Sequence, residues 1–148
     1  MALNVTGNSP AFAPFTVTQS SSPAALPAAV TLEAIEFAFR GPSVLHNGTI
    51  VRSVNAGWLV HMNELPEMKS KADALKAIAY LKAGKDGKAV KLATKSFVNL
   101  MGPASPGAIQ QEMLTTKPGY YVEACFMDTL DGREHTELGM ERLVKVVK

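Results

Sequence analysis

Ile35, Phe37 and Phe39 occupy every second position, separated by Glu36, Ala38 and Arg40, and this period of two predicts a half-buried strand over 35–40. Gly41-Pro42 ends it. The Asn47-Gly48 pair signals a turn, so a second strand is expected over 49–54, and a third over 58–62 after Asn55-Ala56-Gly57. Later strands are predicted over 109–114, over 120–126 after Pro118-Gly119, and over 140–147, where Leu143, Val144, Val146 and Val147 are strand formers. Short strands separated by Gly and Pro turns predict an all-β sandwich or barrel.

One segment departs from this pattern. Ser70-Lys71-Ala72-Asp73 reads as a capping box, in which the serine oxygen accepts from a first-turn amide and the aspartate opposes the helix dipole. An amphipathic helix is expected near 71–83, with Ala72, Leu75, Ile78 and Ala79 on its apolar face, Lys82 in the last turn and Gly84 in a left-handed closing conformation. Such a helix would cover a sheet.

Residues 8–29 carry Pro10, Pro14, Pro23, Pro27 and the run Ser20-Ser21-Ser22, a composition that resists packing. Residues 1–29 are therefore expected to form a flexible or partly ordered segment, and residues 30–148 the folded domain. A chain of 148 residues, 47% of them hydrophobic, suffices for one domain with a core. The 15 Lys and Arg against 13 Asp and Glu leave a net charge of +2, which argues against a protein built to grip nucleic acid. No apolar run reaches the ~18 residues of a membrane-spanning helix. The amino terminus shows no charged and apolar export signal, so either the chain is cytoplasmic or a signal has been trimmed; the Pro/Ala/Ser-rich stretch favours trimming. Lys69, Lys71, Lys76, Lys82, Lys85, Lys88, Lys91 and Lys95 crowd one stretch, offset by Asp73 and Asp86. They read as a solvated face, or as a docking surface for an acidic partner.

Cys125 is the single cysteine, so it forms no internal disulfide and builds no Cys-rich zinc site. It stands at the end of the 120–126 strand, and His135 and Met140 follow in one loop with C-x9-H-x4-M spacing. Upstream, Asn55-Ala56-Gly57-Trp58-Leu59-Val60-His61 puts a second imidazole on an early strand. Two imidazoles, a thiolate and a thioether are the donor set of a blue-copper site. His46, beside the Asn47-Gly48 turn, reads as a surface residue.

On these residues, residues 30–148 resemble the cupredoxins, the plastocyanin and azurin family. The marks are a distant His after an Asn-Ala-Gly turn, Pro-Gly-Tyr leading into Cys, and His-Thr-Glu-Leu-Gly-Met before the last strand. The resemblance implies a Greek-key β-sandwich holding one copper ion, with Cys125 as the short equatorial ligand, His61 and His135 completing the plane, and Met140 as a weak axial ligand. It further implies single-electron transfer with a protein partner through an exposed His135, no enzyme activity, a monomer, and residence in the periplasm or outside the cell. Gly139 would let the backbone turn beside the metal.

Three departures stand out. Plastocyanin-like loops place two residues between Cys and His, and this chain has nine. The type-1 copper domain of nitrite reductases also carries a long loop, and Asp131-Gly132 offers a turn to fold the extra residues back. Met62 stands where many cupredoxins place an Asn, Ser or Thr that hydrogen-bonds the thiolate. Glu123 shares a strand face with Tyr121 and Cys125, where the family keeps an apolar residue, so it needs a partner: a lysine, cover from the helix, or a place at the sheet margin. Asp128, Asp131, Glu134, Glu137 and Glu141 crowd the loop with Arg133 and Arg142, and read as a solvated polar turn or as a negative rim that steers a basic partner.

Two other functions fit the same residues. One is copper binding or trafficking, since Met62 and Met127 join Met140 in supplying thioethers that favour Cu(I). The other is a metal-free binding module of the same fold, favoured if the long loop carries His135 away from Cys125.

Overall fold

The computed structural model describes residues 2–4, 11–13, 16, 18 and 29–148. Most of the 1–29 segment thus lies outside the described residues; within it β1 (Ala2–Asn4) and β2 (Ala11–Ala13) pair antiparallel. From residue 30 the chain forms β3 (Val30–Ile35), β4 (Ala38–Arg40), β5 (Val44–His46), β6 (Ile50–Asn55) and β7 (His61–Met68). Two helices follow, α1 (Lys71–Leu81) and α2 (Asp86–Ala89), then β8 (Ala93–Ala104), β9 (Ile109–Met113), β10 (Gly119–Ala124) and β11 (Glu141–Val147).

Five strands form one sheet in the order β5-β11-β10-β7-β8, and four form another in the order β4-β3-β6-β9. Both are mixed, because β5 runs parallel to β11 and β3 parallel to β6. The chain repeatedly leaves one sheet for the other, the crossing pattern of a Greek-key sandwich. Leu32, Leu45, Val51, Leu65, Leu100, Leu114, Tyr121, Val144 and Val146 form its main core. Tyr121 is fully buried, and its hydroxyl donates to the Lys117 carbonyl at 2.7 Å, which ties the start of β10 to the preceding turn as tyrosine corners do.

Side chains of β10 are buried on both faces. Val122 and Ala124 point away from Tyr121 and pack with Ala74, Ala77 and Leu81 of α1. The helix begins as expected, with the Ser70 oxygen accepting from the Asp73 N–H at 3.0 Å, and Gly84 takes φ +60°. Its buried face is different: Ala74, Ala77 and Leu81 point inward, whereas Leu75 is half exposed. Small alanines let the helix lie close to the sheet, and that requirement outweighs the larger side chain.

Other expectations also need correction. The period of two over 35–40 conceals a tight hairpin, because Ile35 pairs with Ala38 and Glu36-Phe37 form the turn between β3 and β4. Trp58 is not on a strand; it is 86% exposed in the loop that precedes β7. β7 extends to Met68 past Pro66, which fits an interior strand because β10 pairs with Glu64 and Glu67 and skips the proline between them. The lysine-rich stretch continues into β8, a twelve-residue edge strand absent from the sequence reading.

Candidate metal centre

Cys125 follows β10 directly, and its N–H donates to the Met140 carbonyl at 3.2 Å. The pairing of β10 with β11 therefore brings the two ends of the 125–140 loop together. Between them the extra residues fold into a small hairpin: Asp128 bridges Glu134, the Thr129 N–H donates to Arg133 at 2.9 Å, and Gly132 turns with φ +81°. At its tip Arg133 and Asp131 pair at 2.7 Å, which holds the exposed Asp131 carboxyl down to about 2. The His135 N–H then donates to the Met127 carbonyl at 2.8 Å, a single 3-10 turn (His135–Leu138) follows, and Gly139 at φ +102° reverses the chain into Met140.

His61 is positioned from the opposite side. Buried Asn55 donates to the carbonyls of Leu59 and Ala104, both at 2.8 Å, and accepts the Gly57 N–H at 3.0 Å. Those three bonds shape the 55–60 loop that delivers His61 to the first position of β7.

The three side chains converge. Sγ of Cys125 lies 3.3 Å from Nδ1 of His135 and 3.9 Å from Nδ1 of His61, and the two Nδ1 atoms are 3.2 Å apart. A point equidistant from three atoms with those separations lies about 2.0 Å from each, the length of a metal–imidazole bond and slightly less than the ~2.3 Å of a metal–thiolate bond. Cys125, His61, His135 and Met140 are all at most 1% exposed. Met140 shares a buried cluster with Cys125, Ala34, Phe39 and Met101, against which Met62 and Met127 also pack. The sandwich thus brings His61, Cys125 and His135 into one buried cluster, as the sequence resemblance implies.

Burial pushes the Cys125 thiol above its ordinary range, against the opposing pull of the Met62 and Met127 backbone amides. The Met62 N–H donates to Sγ at 3.3 Å, so the main chain supplies a bond that a polar side chain at this position would otherwise give. Burial lowers both histidines; the neighbouring His135 lowers His61 further, and Glu36 opposes that shift. At neutral pH the site thus holds a thiol and two neutral imidazoles. To hold a metal there, Cys125 would give up its thiol proton.

Other expectations resolve around this centre. Glu123 is fully buried, receives Asn63 Nδ2 at 2.8 Å and pairs with Arg142. Its partner is an arginine on the adjacent strand together with an amide, and neither a lysine nor the helix is needed. Glu141 is reached by Lys82 at 3.3 Å and Asp131 by Arg133, so part of the acidic rim is paired. His135 does not lie exposed as expected: it is 1% exposed, beneath a depression of about 540 Å³ lined by Leu59, Val60, Met127, Leu130 and the 128–133 hairpin. His46 is at the surface, its Nδ1 2.9 Å from the Lys148 carbonyl. Glu36 and Phe37, absent from the sequence reading of the site, both touch it: Glu36 stands 3.8 Å from Nε2 of His61, and Phe37 meets the His135 ring edge-on at 5.2 Å. Strand-like alternation gave no signal of either.

No family model matches the chain and no curated protein sequence matches it. Among solved structures it is similar to dithionite-reduced auracyanin from Roseiflexus castenholzii, at 14% identity over 84% of this chain and 100% of that one, with a TM-score of 0.48. It is also similar to auracyanin A, a "blue" copper protein from Chloroflexus aurantiacus, at 20% identity over 81% and 100% of the two chains, TM-score 0.44. A third is the Cu-containing nitrite reductase of Thermus scotoductus SA-01, at 17% identity over 88% of this chain but only 25% of that one, TM-score 0.46. At such distances function must be read from the side chains. Among the described residues, no helix is long and apolar enough to cross a membrane.

Proposed function

We propose that residues 30–148 form a one-copper electron-transfer domain in which His61, Cys125 and His135 hold the ion and Met140 lies as a weak fourth ligand. The observation that carries this reading is the triangle of Nδ1, Nδ1 and Sγ atoms, whose centre is about one metal–ligand bond length from each corner. Thiolate and imidazole together suit both copper oxidation states. Copper, when bound, supplies a one-electron couple. The protein's part is to keep the donors still: β10, β11 and the Asn55-shaped loop fix them before metal arrives, and little rearrangement on redox change favours fast transfer.

The burial of all four side chains leaves no open position for a substrate, which supports an electron carrier over an enzyme. His135 is the side chain nearest a surface route, because the depression above it is rimmed by apolar Leu59, Val60 and Leu130, with Trp58 exposed beside Leu59. A redox protein docking on that face would approach His135 directly. A monomer outside the cytoplasm, where thiols compete less for copper, suits this reading.

Addition of Cu(II) to the metal-free protein tests it: one equivalent binds and produces an intense thiolate-to-copper absorption band. Cys125→Ser abolishes the band, while Met140→Leu keeps the colour and raises the potential. The presence of Met62, Met101 and Met127 around Cys125 and Met140 favours a second reading, Cu(I) binding or trafficking. Tight Cu(I) binding with a colourless or unstable oxidised form would select it. A metal-free module is favoured if the long loop carries His135 away from Cys125, and the 3.3 Å separation removes that support.

A further inference from the structure

We propose that Glu36 is the positioning residue for His61: its carboxylate faces the Nε2 proton of that ring and so commits Nδ1 to the metal side. The inference rests on the metal-binding reading above and concerns a residue that reading does not use.

Glu36 reaches the site through local geometry that sequence alternation conceals. The two-residue turn between β3 and β4 puts Phe37 at φ +56°, a left-handed conformation that is uncommon for a bulky side chain and costs on the order of 1–3 kcal/mol. The turn is held by what it touches. Phe37 packs edge-on against His135 at 5.2 Å between ring centroids. Glu36 Oε1 accepts backbone N–H groups from Trp58 and, at 3.3 Å, from Leu59. One turn therefore backs both imidazoles, and the carboxylate is pinned by the same loop that leads into His61.

His61 supplies the complementary need. Its Nε2 is buried and has no hydrogen-bond partner among the described residues. Glu36 Oε1 stands 3.8 Å away, just beyond hydrogen-bond reach. Gly57 makes the approach feasible: a Cβ on that residue would fall 2.5 Å from Glu36 Oε1 and 2.8 Å from His61 Nε2. An imidazole that coordinates through Nδ1 must carry its proton on Nε2, and a carboxylate facing that proton fixes the tautomer, orients the ring and raises its basicity. A negative group there also stabilises the more highly charged metal state, so it lowers the reduction potential.

The test compares wild type, Glu36→Gln and Glu36→Leu. Glutamine keeps an acceptor for the Trp58 and Leu59 amides and removes the charge; leucine removes both. In the metal-free protein, nitrogen NMR of His61 is expected to give the Nε2–H tautomer in wild type and Glu36→Gln, and a shift toward Nδ1–H in Glu36→Leu. Zn(II) affinity is expected to fall about 10- to 100-fold in Glu36→Leu and less in Glu36→Gln. Copper-loaded Glu36→Gln should keep its colour and show a higher potential, a readout that a purely structural role would not move. Wild-type tautomer and wild-type Zn(II) affinity in Glu36→Leu, or an unchanged potential in Glu36→Gln, would overturn the assignment. If wild type binds neither metal while the tautomer still shifts in Glu36→Leu, the metal reading fails and the role of Glu36 toward His61 stands.

Discussion

Cys125 and His135 are ten positions apart in sequence, yet Sγ and Nδ1 stand 3.3 Å apart. The length of the loop is absorbed by the 128–134 hairpin, which is closed at its base by the bond from His135 N–H to the Met127 carbonyl. Gly132 at the tip has φ +81° with open space around it. Gly132→Ala is therefore expected to cost about 1–2 kcal/mol of local backbone strain, seen as a Tm lower by a few degrees, with metal stoichiometry unchanged. Loss of metal binding in that variant would mean that the hairpin tip shapes the site.

Gly57 has the opposite sensitivity, because the atoms that a methyl group would strike are the Glu36 carboxylate and the buried His61 ring. Gly57→Ala should lower Zn(II) affinity at least about tenfold, the usual scale for disturbing a ligand's supporting contacts. Gly87→Ala, which meets nothing within 4 Å, is the control and should leave affinity unchanged. Equal affinities for the two variants would contradict the tight packing described at Gly57.

Glu123 is buried between Asn63 and Arg142, and the arginine also donates to the carbonyls of Gly41 and Pro42. Removal of one member of such a pair leaves the other charge uncompensated, at a cost of about 3–5 kcal/mol. Arg142→Met is expected to destabilise the fold on that scale, measured by denaturant unfolding. Glu123→Gln should cost distinctly less, since Gln can still accept from Asn63 and Arg142 keeps its two carbonyl bonds. The reverse order of costs would show that the carboxylate, and not the arginine, anchors this part of the sandwich.

Much of the fold was legible in the sequence where a turn signal and a strand-forming run coincide, as at Asn47-Gly48 before β6 and Pro118-Gly119 at the start of β10. The convergence of His61, Cys125 and His135 was legible too, because strand position and residue type agree. What escaped has physical causes. Pro66 argues against an interior strand until the gap in its pairing is seen, and the lysines before β8, with Gly102-Pro103 near its end, mask an edge strand. Ile35, Phe37 and Phe39 keep a strand's period through a turn, since a left-handed Phe37 leaves no mark on hydropathy. Leu75 looked like the helix core, and close contact with β10 selected Ala74 and Ala77 instead.

Glu64, half-buried on β7, shows a carboxyl raised above its ordinary value by loss of solvent. A carboxyl raised in the folded state binds its proton more tightly there than in the unfolded chain, so its contribution is most favourable below the ordinary value of 4.5 and is lost as pH rises through the folded value. Glu64→Gln should accordingly raise Tm relative to wild type at pH 8, with the difference shrinking toward pH 4. A difference that is constant across that range would remove burial of the charge as its cause.

The central claim is that one copper ion sits among two Nδ1 atoms and one sulfur. X-ray absorption at the copper edge of the one-to-one complex measures this directly: the account predicts two nitrogen neighbours near 2.0 Å and one sulfur at or slightly inside ~2.3 Å. A spectrum with no sulfur in the shell, or one unaltered in Cys125→Ser, would contradict it.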